Sequence, residues 1–449
     1  MGHAAYPEVK ETGTLWLGKV PAHWQPKRLR FTLQINPSAN EIRLESDTPV
    51  SFVPMDAVGE YGGIRTDSEK ELGDIGNGYT YFADGDVVVA KITPCFENGK
   101  GAIAEGLTHG IAFGTTELHV LRADQELDKR FLFYLTISHP FRALGEAEMY
   151  GAGGQKRVPD SFIKDFRPAL PPLGEQQAIA RFLDHKTTQI DALIAKKQAL
   201  LQKLAEKRTA LISHAVTKGL DPTITSKDSG VQWIGTIPAH WRSGHLRRFA
   251  LMRTGHTPSR SQPEYWMDCS IPWFTLADVW QLRDGKRIYL EETKEQISET
   301  GLANSAAELL PAGTVVFSRT ASIGFSGIMP VPMATTQDFW NWVCGPDLLP
   351  EYLLLLFRSM RQEFEKMTSG STHKTIYQPD AAGLRICVPP KTEQQEIVKF
   401  ANQACARLDR QSDAIERAIE RLNEYRSAII TAAVTGKIDV RGVPIPEGT

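Results

Sequence analysis

One segment of the sequence occurs twice, and this repetition constrains the fold more than any other feature. Residues 12–24 read TGTLWLGKVPAHW, and residues 229–241 read SGVQWIGTIPAHW. In both tryptophan pairs, Trp16 with Trp233 and Trp24 with Trp241, the members are 217 positions apart. A repeat of this length indicates duplicated domains rather than a solenoid of short units.

A second pair of segments follows the same rule. Residues 171–177 read PPLGEQQ, and residues 389–395 read PPKTEQQ, 218 positions later. The predicted order is therefore module, long helix, module, long helix. Because a duplicated chain is a pseudo-dimer, we expect its target to have two halves as well.

Composition limits the classes of protein that need to be considered. The 449 residues leave room for two to four domains, each with its own core. The formal net charge of -2 is not that of a strongly basic nucleic-acid protein. Any DNA binding must therefore come from local basic patches or be shared with a basic partner.

Cysteine usage and hydropathy indicate where the protein works. The five cysteines are odd in number and form no C-x-x-C pair, so we expect reduced thiols. The N-terminus lacks the apolar segment of a signal peptide, and no apolar run approaches the ~20 residues that a membrane span needs. These features predict a soluble, cytoplasmic protein.

Two long helices are predicted from hydrophobic periodicity. Residues 175–216 contain neither proline nor glycine, and apolar residues recur there at alternating steps of three and four, as in a coiled coil. Residues 397–433 repeat the pattern, with Tyr425 among the apolar positions. We expect Gly174 and Thr392 to cap the helix starts and a glycine to end each helix. About 42 residues at 1.5 Å each give a rod of about 60 Å.

Such a helix cannot bury its apolar stripe alone, so the two copies are expected to pair. The simplest packing is antiparallel, with a module at each end and a pseudo-twofold axis across the rod. The helices are then either a spacer alone or a spacer that also docks partner helices.

The segments between the repeats predict mixed modules with β cores. Strand patterns occur at residues 86–92 and 314–319, each after a glycine turn, and helical patterns follow. The predicted fold class is α+β, with two mixed α/β modules separated by two long antiparallel helices. The predicted domains are a first module at 1–170, a first helix at 171–218, a second module at 219–388, and a second helix with a tail at 389–449.

Polar loops near the end of each module are candidate DNA contacts. Residues 151–158 read GAGGQKRV and residues 369–376 read SGSTHKTI, which places two lysines 218 positions apart. Small residues let backbone amides approach a phosphate, and lysine adds charge; the alternative is a solvated surface loop. A third polar loop near residue 257 and two basic residues at matching strand ends, Lys91 and Arg319, add further candidates. The full set is Lys91, Gly154, Gln155, Lys156, Arg157, Thr257, Ser259, Arg260, Arg319, Thr372, His373 and Lys374.

The repeated tryptophans have two interpretations. They are either stacking platforms for bases or packing residues that hold each module on the helices. We favour packing, because they lie in the repeated segments and not where the modules diverge. His23 and His240 are then turn residues rather than metal ligands.

Motifs for catalysis are missing from the sequence. It contains no G-x-x-x-x-G-K-[ST] loop, no H-E-x-x-H motif and no zinc-type cluster of cysteine and histidine. The sequence also lacks the Asn-Pro-Pro-aromatic or Asp-Pro-Pro-aromatic tetrapeptide that holds a flipped adenine in amino-methyltransferases. We therefore expect a binding protein with no catalytic residue, cofactor or metal of its own.

The chain resembles the specificity (S) subunit of type I restriction-modification systems. The resemblance rests on residues 6–24 and 228–241, both P-P-x-x-E-Q-Q helix starts, the helix endings at 215–219 and 432–439, and GHTPSR at 255–260. It covers essentially the whole chain, although the first module lacks a clear G-x-T-P-S-R equivalent.

The resemblance implies two target recognition domains, each of which reads one half of a bipartite site in double-stranded DNA. The helices would set the unread spacer and dock two DNA adenine methyltransferase (M) subunits, which bind S-adenosylmethionine. Restriction (R) subunits would supply cleavage driven by ATP, with Mg²⁺, and this chain would be non-catalytic. The alternatives are a tandem-module protein–protein adaptor and a stand-alone enzyme.

Overall fold

A computed structural model describes residues 4–76, 78–152, 154–368 and 375–446. The chain forms two compact units. The first unit combines residues up to 197 with those from 416 onward, and the second comprises residues 198–415.

The first unit is rich in short strands followed by helices. Its strands are β1 (Val9–Glu11), β2 (Lys19–Pro21), β3 (Gln25–Pro26), β4 (Leu33–Ile35), β5 (Pro49–Val53), β6 (Glu69–Glu71), β7 (Thr80–Ala83), β8 (Val87–Ala90), β9 (Gly101–Ile103), β10 (Ile111–Gly114), β11 (Leu118–Ala123) and β12 (Ala169–Leu170). Its helices are α1 (Lys129–Thr136), α2 (His139–Ala147), α3 (Asp160–Asp165) and the first part of α4 (Leu173–Lys218).

Two four-stranded sheets form the core of the first unit. One has the order β4-β11-β8-β9 and is antiparallel throughout. The other has the order β6-β5-β10-β7, in which β5 and β10 are parallel. All four residues of β8 are buried, as expected for a strand covered on both faces. Phe131 and Leu132 of α1 pack against it in the largest core cluster of this unit.

The second unit repeats this plan. Its strands are β13 (Ser226–Asp228), β14 (Thr236–Pro238), β15 (Arg242–His245), β16 (Ala250–Thr254), β17 (Ile271–Phe274), β18 (Glu295–Ile297), β19 (Val315–Ser318), β20 (Ser326–Ile328), β21 (Ala334–Thr335), β22 (Phe339–Cys344) and β23 (Arg385–Val388). Its helices are α5 (Glu299–Ala303), α6 (Pro350–Ser359), α7 (Arg361–Met367), α8 (Gln378–Gly383) and the first part of α9 (Lys391–Val434).

The sheets of the second unit match those of the first, except that β7 has no counterpart among the strands of the described residues. The order β16-β22-β19-β20 corresponds to β4-β11-β8-β9, and β18-β17-β21 corresponds to β6-β5-β10, including one parallel pair. The predicted fold class, α+β with two β-cored modules and two long helices, is confirmed.

The long helices begin earlier than the sequence suggested. Gly174 and Thr392 were expected to cap them, but both lie inside the first turn. The carbonyl of Pro172 accepts from the amides of Glu175 and Gln176 instead (2.9 and 3.0 Å). Proline suits this position because its fixed backbone angle leads directly into a helix. The C-terminal prediction is correct, since Gly219 and Gly436 have positive φ angles.

The helices pair in antiparallel fashion inside each unit. In the first unit, Phe182 and Leu183 near the start of α4 share a core cluster with Ile429 and Ile430 near the end of α9. In the second unit, Val216 near the end of α4 shares a cluster with Ile397 and Ala401 near the start of α9.

Some expected seam positions are nevertheless exposed. Leu193, Leu200 and Tyr425 belong to the apolar repeats that predict the coiled coil, yet 47%, 46% and 49% of their surfaces are accessible. Two helices alone bury only the residues that face each other, so a broad apolar stripe keeps part of its width on the surface.

The repeated segments meet in each unit at a cluster that we call the junction. In the first unit Glu175 accepts hydrogen bonds from Tyr6 Oη (2.7 Å), His23 Nε2 (2.7 Å) and Trp24 Nε1 (3.0 Å). In the second unit Glu393 accepts from His240 and Trp241 (2.8 and 3.0 Å).

These contacts show why the repeated motifs occur together. Trp24 and Trp241 are completely buried, and each donates to a glutamate in the first turn of a long helix. Trp16 stacks on Phe166 with ring centroids 4.9 Å apart. The packing interpretation of the tryptophans is thus confirmed, and the two histidines bind the same glutamates.

The adjacent glutamine anchors each helix to its module. Gln176 donates through Nε2 to the carbonyls of Glu126 and Pro171, and its Oε1 accepts from the amide of Asp128 (2.8 Å). Gln394 makes the same three kinds of bond in the second unit. Saturated buried amides of this kind hold two elements in one orientation.

Three further features concern the cysteines, the hydropathy of the helices and the possible metal ligands of the described ranges. The five cysteines are unpaired. No described helix is long and apolar enough to cross a bilayer. No metal-binding group of histidine, cysteine or carboxylate side chains occurs among the residues the structure describes.

Candidate nucleic-acid interface

Three basic candidates of the first unit lie close together. Lys91 follows β8, and its carbonyl accepts from the amide of Val158 (2.8 Å). Arg157 forms β-bridges with Ile92 and Tyr150. The carbonyl of Lys156 accepts from the amide of Thr93 (3.0 Å). The polar loop is therefore tied to the end of β8, as required if its charges are to act together.

Arg157 is fixed by a carboxylate. Its Nε and Nη2 atoms donate to both oxygens of Glu117 at 2.9 and 2.8 Å. This bond lowers the pKa of Glu117 below its ordinary value of 4.5. A two-pronged pair of this kind sets the plane of the guanidinium.

We expect this pair to hold the loop at neutral pH and to release it in acid. Because the pKa of Glu117 is depressed in the folded protein, its contribution is complete above about pH 4.5 and disappears as pH falls through the folded value. At pH 7, Glu117→Gln should speed amide exchange at Tyr150 and Arg157 severalfold at most, because solvent-exposed ion pairs contribute little to stability.

Hydrogen exchange at matched pH values checks this expectation. The difference between Glu117→Gln and the unsubstituted protein should shrink as pH falls below 4.5 and vanish below the depressed pKa of Glu117. The control is Glu148→Gln, at an exposed position, which should change nothing. A difference that does not shrink at any acidic pH at which the protein stays folded would contradict the role of the pair.

The rest of this loop faces solvent. Gly154, Gln155 and Lys156 are exposed, and no hydrogen bond or ion pair of the Lys156 ammonium occurs within the described ranges. Gly154 and Lys156 line a cavity of about 450 Å³ together with Glu97 and Glu146. The loop thus combines a free ammonium group with nearby carboxylates that can accept hydrogen bonds.

Arg319 occupies the matching place in the second unit. It follows β19 as Lys91 follows β8, and its carbonyl accepts from the amide of Ile376 (3.0 Å). The guanidinium carbon lies 4.6 Å from the centroid of the Trp340 ring. Its Nε is buried and has no hydrogen-bond partner among the residues that the structure describes. Thr372, His373 and Lys374, three further candidates of the second module, lie outside the described residues.

The loop at 255–260 contains one residue that must be glycine for steric reasons. A Cβ on Gly255 would lie 2.0 Å from the carbonyl oxygen of Thr335, and the next amide, of His256, donates to that same oxygen (3.0 Å). Thr257 donates to Gln337 (2.9 Å). Because the amide of Arg319 donates to the carbonyl of the neighbouring Asp338 (2.9 Å), Thr257 and Arg319 share one surface.

Arg260 belongs to a different cluster. Its guanidinium carbon lies 3.9 Å from the Trp266 ring centroid, and Nη2 bonds to Glu295 (2.6 Å). The Trp266 indole donates to the carbonyl of Ser259 (3.1 Å). Arg260 and Ser259 therefore shape the loop through contacts within the protein.

The structure also reveals a segment that sequence comparison missed. In the first unit β4 corresponds to β16, and it is followed by Pro37 and Ser38, as β16 is followed by Pro258 and Ser259. The shared Pro-Ser pair was the available signal. The match is hard to see in the sequence, because one residue separates β4 from Pro37 whereas three residues separate β16 from Pro258.

Comparison with known proteins agrees with this geometry. The sequence profile described as "Type I restriction modification DNA specificity domain" matches residues 62–203 and 238–421, which is most of the chain. Over 175 residues the chain is 39% identical to the EcoAI specificity subunit of Escherichia coli, covering 38% of this chain and 29% of that protein. The EcoEI specificity subunit of E. coli is also 39% identical, over 163 residues.

The chain spans less than a third of the length of these two relatives. A relative matched over nearly its full length is the putative MjaX specificity subunit of Methanocaldococcus jannaschii, with 21% identity, 95% coverage of this chain and 96% of that protein.

Solved structures share the fold. A chain from a structural study of complex assembly and conformational transition of the type I R-M system has a TM-score of 0.71 at 18% identity, covering 92% of this chain and 98% of that one. The HsdS subunit from Thermoanaerobacter tengcongensis has a TM-score of 0.52 at 18% identity, covering 93% and 98%. With the duplicated modules, the two junctions and the matching profile, these findings show that the chain belongs to the specificity-subunit family of type I restriction-modification systems.

Proposed function

We propose that the chain reads a bipartite sequence in double-stranded DNA and performs no chemistry itself. In this proposal residues 1–170 and 219–388 are two target recognition domains, and each reads one half-site. The observation that supports it most is that equivalent strand ends carry unlike side chains. Lys91 lies beside the Arg157–Glu117 pair, whereas Arg319 stacks on Trp340. A common scaffold with different polar surfaces suits two readers of different short sequences.

The basic residues have separable tasks in this proposal. Exposed Lys156 suits a phosphate, which fixes register without reading sequence. Arg319 suits a guanine edge, because arginine binds guanine O6 and N7 through two donors and the Trp340 ring fixes the plane of its guanidinium. DNA binding has to rest on such local basic groups, because the chain as a whole carries a net charge of -2 and does not attract DNA by its overall charge.

We also propose that the long helices, 171–218 and 389–449 with the tail, set the unread spacer and dock two methyltransferase subunits. Support comes from apolar surface that the helices leave open. In the second unit Phe400 is 42% exposed and lines a cavity of about 420 Å³ with Leu211 and Leu408. Exposed apolar patches on a helix surface commonly mark protein interfaces.

The chemistry then belongs to the partners. S-adenosylmethionine would bind to the methyltransferase subunits, and ATP and Mg²⁺ to restriction subunits. This chain would select the DNA sequence at which these subunits act.

Selection from a random duplex library tests the proposal, using the purified chain with and without adenine methyltransferase subunits. We expect two short fixed blocks at a constant separation, with the logarithm of affinity falling linearly as the logarithm of salt rises. Binding without sequence preference would favour the tandem adaptor, which the slightly acidic charge suits. Methyl transfer by the chain alone would overturn the non-catalytic assignment.

Exchanging one module should change one half-site only. If residues 25–168 are replaced by the same segment of a relative, we expect a new sequence in one selected block and an unchanged second block. The reciprocal exchange within 243–386 is the matched control. Changes in both blocks after either exchange would contradict independent reading.

Lengthening both helices should change the spacer only. An insertion of seven residues into each helix keeps the heptad phase and adds about 10 Å, which corresponds to about three base pairs of duplex at 3.4 Å each. We expect the same two blocks at a longer separation. Seven residues inserted in α4 alone provide the control, because one lengthened helix cannot keep register with the other. An altered block sequence would contradict the spacer role.

A further inference from the structure

A cavity in the second unit is lined by four arginines that the proposed function does not use. It has a volume of about 270 Å³ and lies between α4, the segment after Leu282, the turn at 323–326 and the helices α6 and α7. The arginines are Arg208, Arg283, Arg358 and Arg361, whereas Asp284 is the single carboxylate among the described lining residues.

Two of these guanidinium groups are already neutralised. Arg208 forms an ion pair with Asp409 of α9 and donates to the carbonyl of Gly285 (3.2 Å). Arg361 lies 3.6 Å from a carboxylate oxygen of Glu365. These two residues therefore form part of the wall without requiring a ligand.

The other two lack a carboxylate partner within the described residues. Arg358 bonds to the backbone carbonyl of Arg287. Among the described residues no carboxylate forms an ion pair with it, although the charge of Asp284 in the same lining acts on it. Arg283 is exposed at the rim. Burial and the nearby charge of Arg208 lower the pKa of Arg358 to about 10, so it still carries its charge at neutral pH. Arg358 is half-buried, and a partly desolvated cation without a paired carboxylate is unfavourable.

The scaffold does not require this arginine. The helices α1 and α6 correspond, because the amides of Asp128 and Leu349 make the same bond to Gln176 and Gln394. By that register the counterpart of Arg358 is Ile137, which is buried in the first unit. The fold accepts an apolar side chain there, so the half-buried charge at this position of the second unit needs an explanation outside the fold.

We propose that this cavity binds a phosphate or a similar tetrahedral oxyanion, held by the guanidinium groups of Arg358 and Arg283 with Arg208 behind them. Guanidinium forks match oxyanion geometry and form charge-assisted hydrogen bonds. Apolar side chains of Ile212, Leu282 and Phe357 line the same space and keep the local dielectric low, which strengthens these bonds. The volume suits inorganic phosphate or a phosphomonoester more than a larger ligand.

Calorimetric titration of the full chain with inorganic phosphate, against chloride at equal ionic strength, tests this site. We expect saturable phosphate binding that Arg358→Ile weakens about tenfold or more, because a hydrogen bond to a charged group contributes about 1.5–3 kcal/mol. The isoleucine is the residue that the first unit carries at this position. Arg247→Met, at an exposed position of the same unit, is the matched control and should bind as the unsubstituted chain does.

A second variant protects the test against misfolding. Arg283→Met removes the exposed rim cation and should weaken phosphate binding severalfold while the protein stays folded. Equal affinity in Arg283→Met and the unsubstituted chain overturns the proposal, as does a titration in which phosphate binds no better than chloride. The source of the phosphate is identified by titrating the unsubstituted chain and Arg358→Ile with adenosine monophosphate and with non-specific duplex DNA. The ligand whose binding Arg358→Ile weakens most, among these two and inorganic phosphate, is the one that the cavity accepts.

Discussion

Replacing Glu175 with alanine should destabilise the first unit by about 3 kcal/mol or more. The substitution leaves the buried Tyr6 hydroxyl and Trp24 indole without an acceptor, and each buried donor left unpaired costs about 1–3 kcal/mol. The pKa of Tyr6 is raised by its burial and by the bond to Glu175, which agrees with a hydroxyl that stays protonated and donates. Hydrogen exchange over residues 6–24 and 175–183 measures the loss.

The duplication supplies a matched comparison for this prediction. Glu393→Ala removes the acceptor for Trp241 and for half-exposed His240, with no tyrosine in the cluster, so we expect a smaller loss of about 2 kcal/mol confined to the second unit. Glu396→Ala, at an exposed position of the same helix, should have little effect. Equal losses for Glu175→Ala and Glu396→Ala would show that the junction does not hold the module to the helix.

Replacing Gly255 with alanine should disrupt the second unit by about 2–3 kcal/mol. The added Cβ would lie 2.0 Å from the Thr335 carbonyl oxygen and 2.3 Å from its hydroxyl oxygen. Neither atom moves easily, because Thr335 is buried in β21 and its hydroxyl accepts from Asn341 (2.8 Å). Overpacking of this kind costs about 1–3 kcal/mol. Urea denaturation followed by exchange in the second unit measures the effect.

A glycine of the same unit provides the control. A Cβ on Gly383 meets no atom within 4 Å, and this glycine ends α8, so Gly383→Ala should be neutral or stabilising by up to about 1 kcal/mol. If the chain reads DNA as proposed, Gly255→Ala should also weaken selection for one half-site while the other stays unchanged. A Gly255→Ala protein as stable as Gly383→Ala would contradict the close approach of this loop to β21.

Much of the architecture was predictable because its signals are local. The two long helices are predicted by the heptad spacing of their apolar residues, and their C-terminal ends are predicted by Gly219 and Gly436. The strands β8 and β19 follow from short runs of valine after a glycine. Helix starts were misplaced by about two residues, because the Pro172 carbonyl, rather than a side chain, accepts the first helical amides.

The candidate site was predictable only in outline. Lys91, Lys156 and Arg157 do converge, as a loop placed near a strand end suggested. Arg260 was expected to contact DNA, but it stacks on Trp266 and forms an ion pair with Glu295. These partners lie 6 and 35 positions along the chain, and no sequence motif connects them with Arg260.

By itself the sequence determined the duplication and the order of modules and helices, because periodicity and repeated spacing are properties of the chain read in one dimension. It favoured a packing role for the repeated tryptophans, which the contacts of Trp24 and Trp241 then decided. Only the tertiary structure showed that Glu175 joins Tyr6, His23 and Trp24 from more than 150 positions away. The arginine cavity beside α6 likewise became visible only in three dimensions. Contacts over such separations depend on which surfaces pack together, and hydrophobic burial selects those surfaces without regard to their distance along the chain.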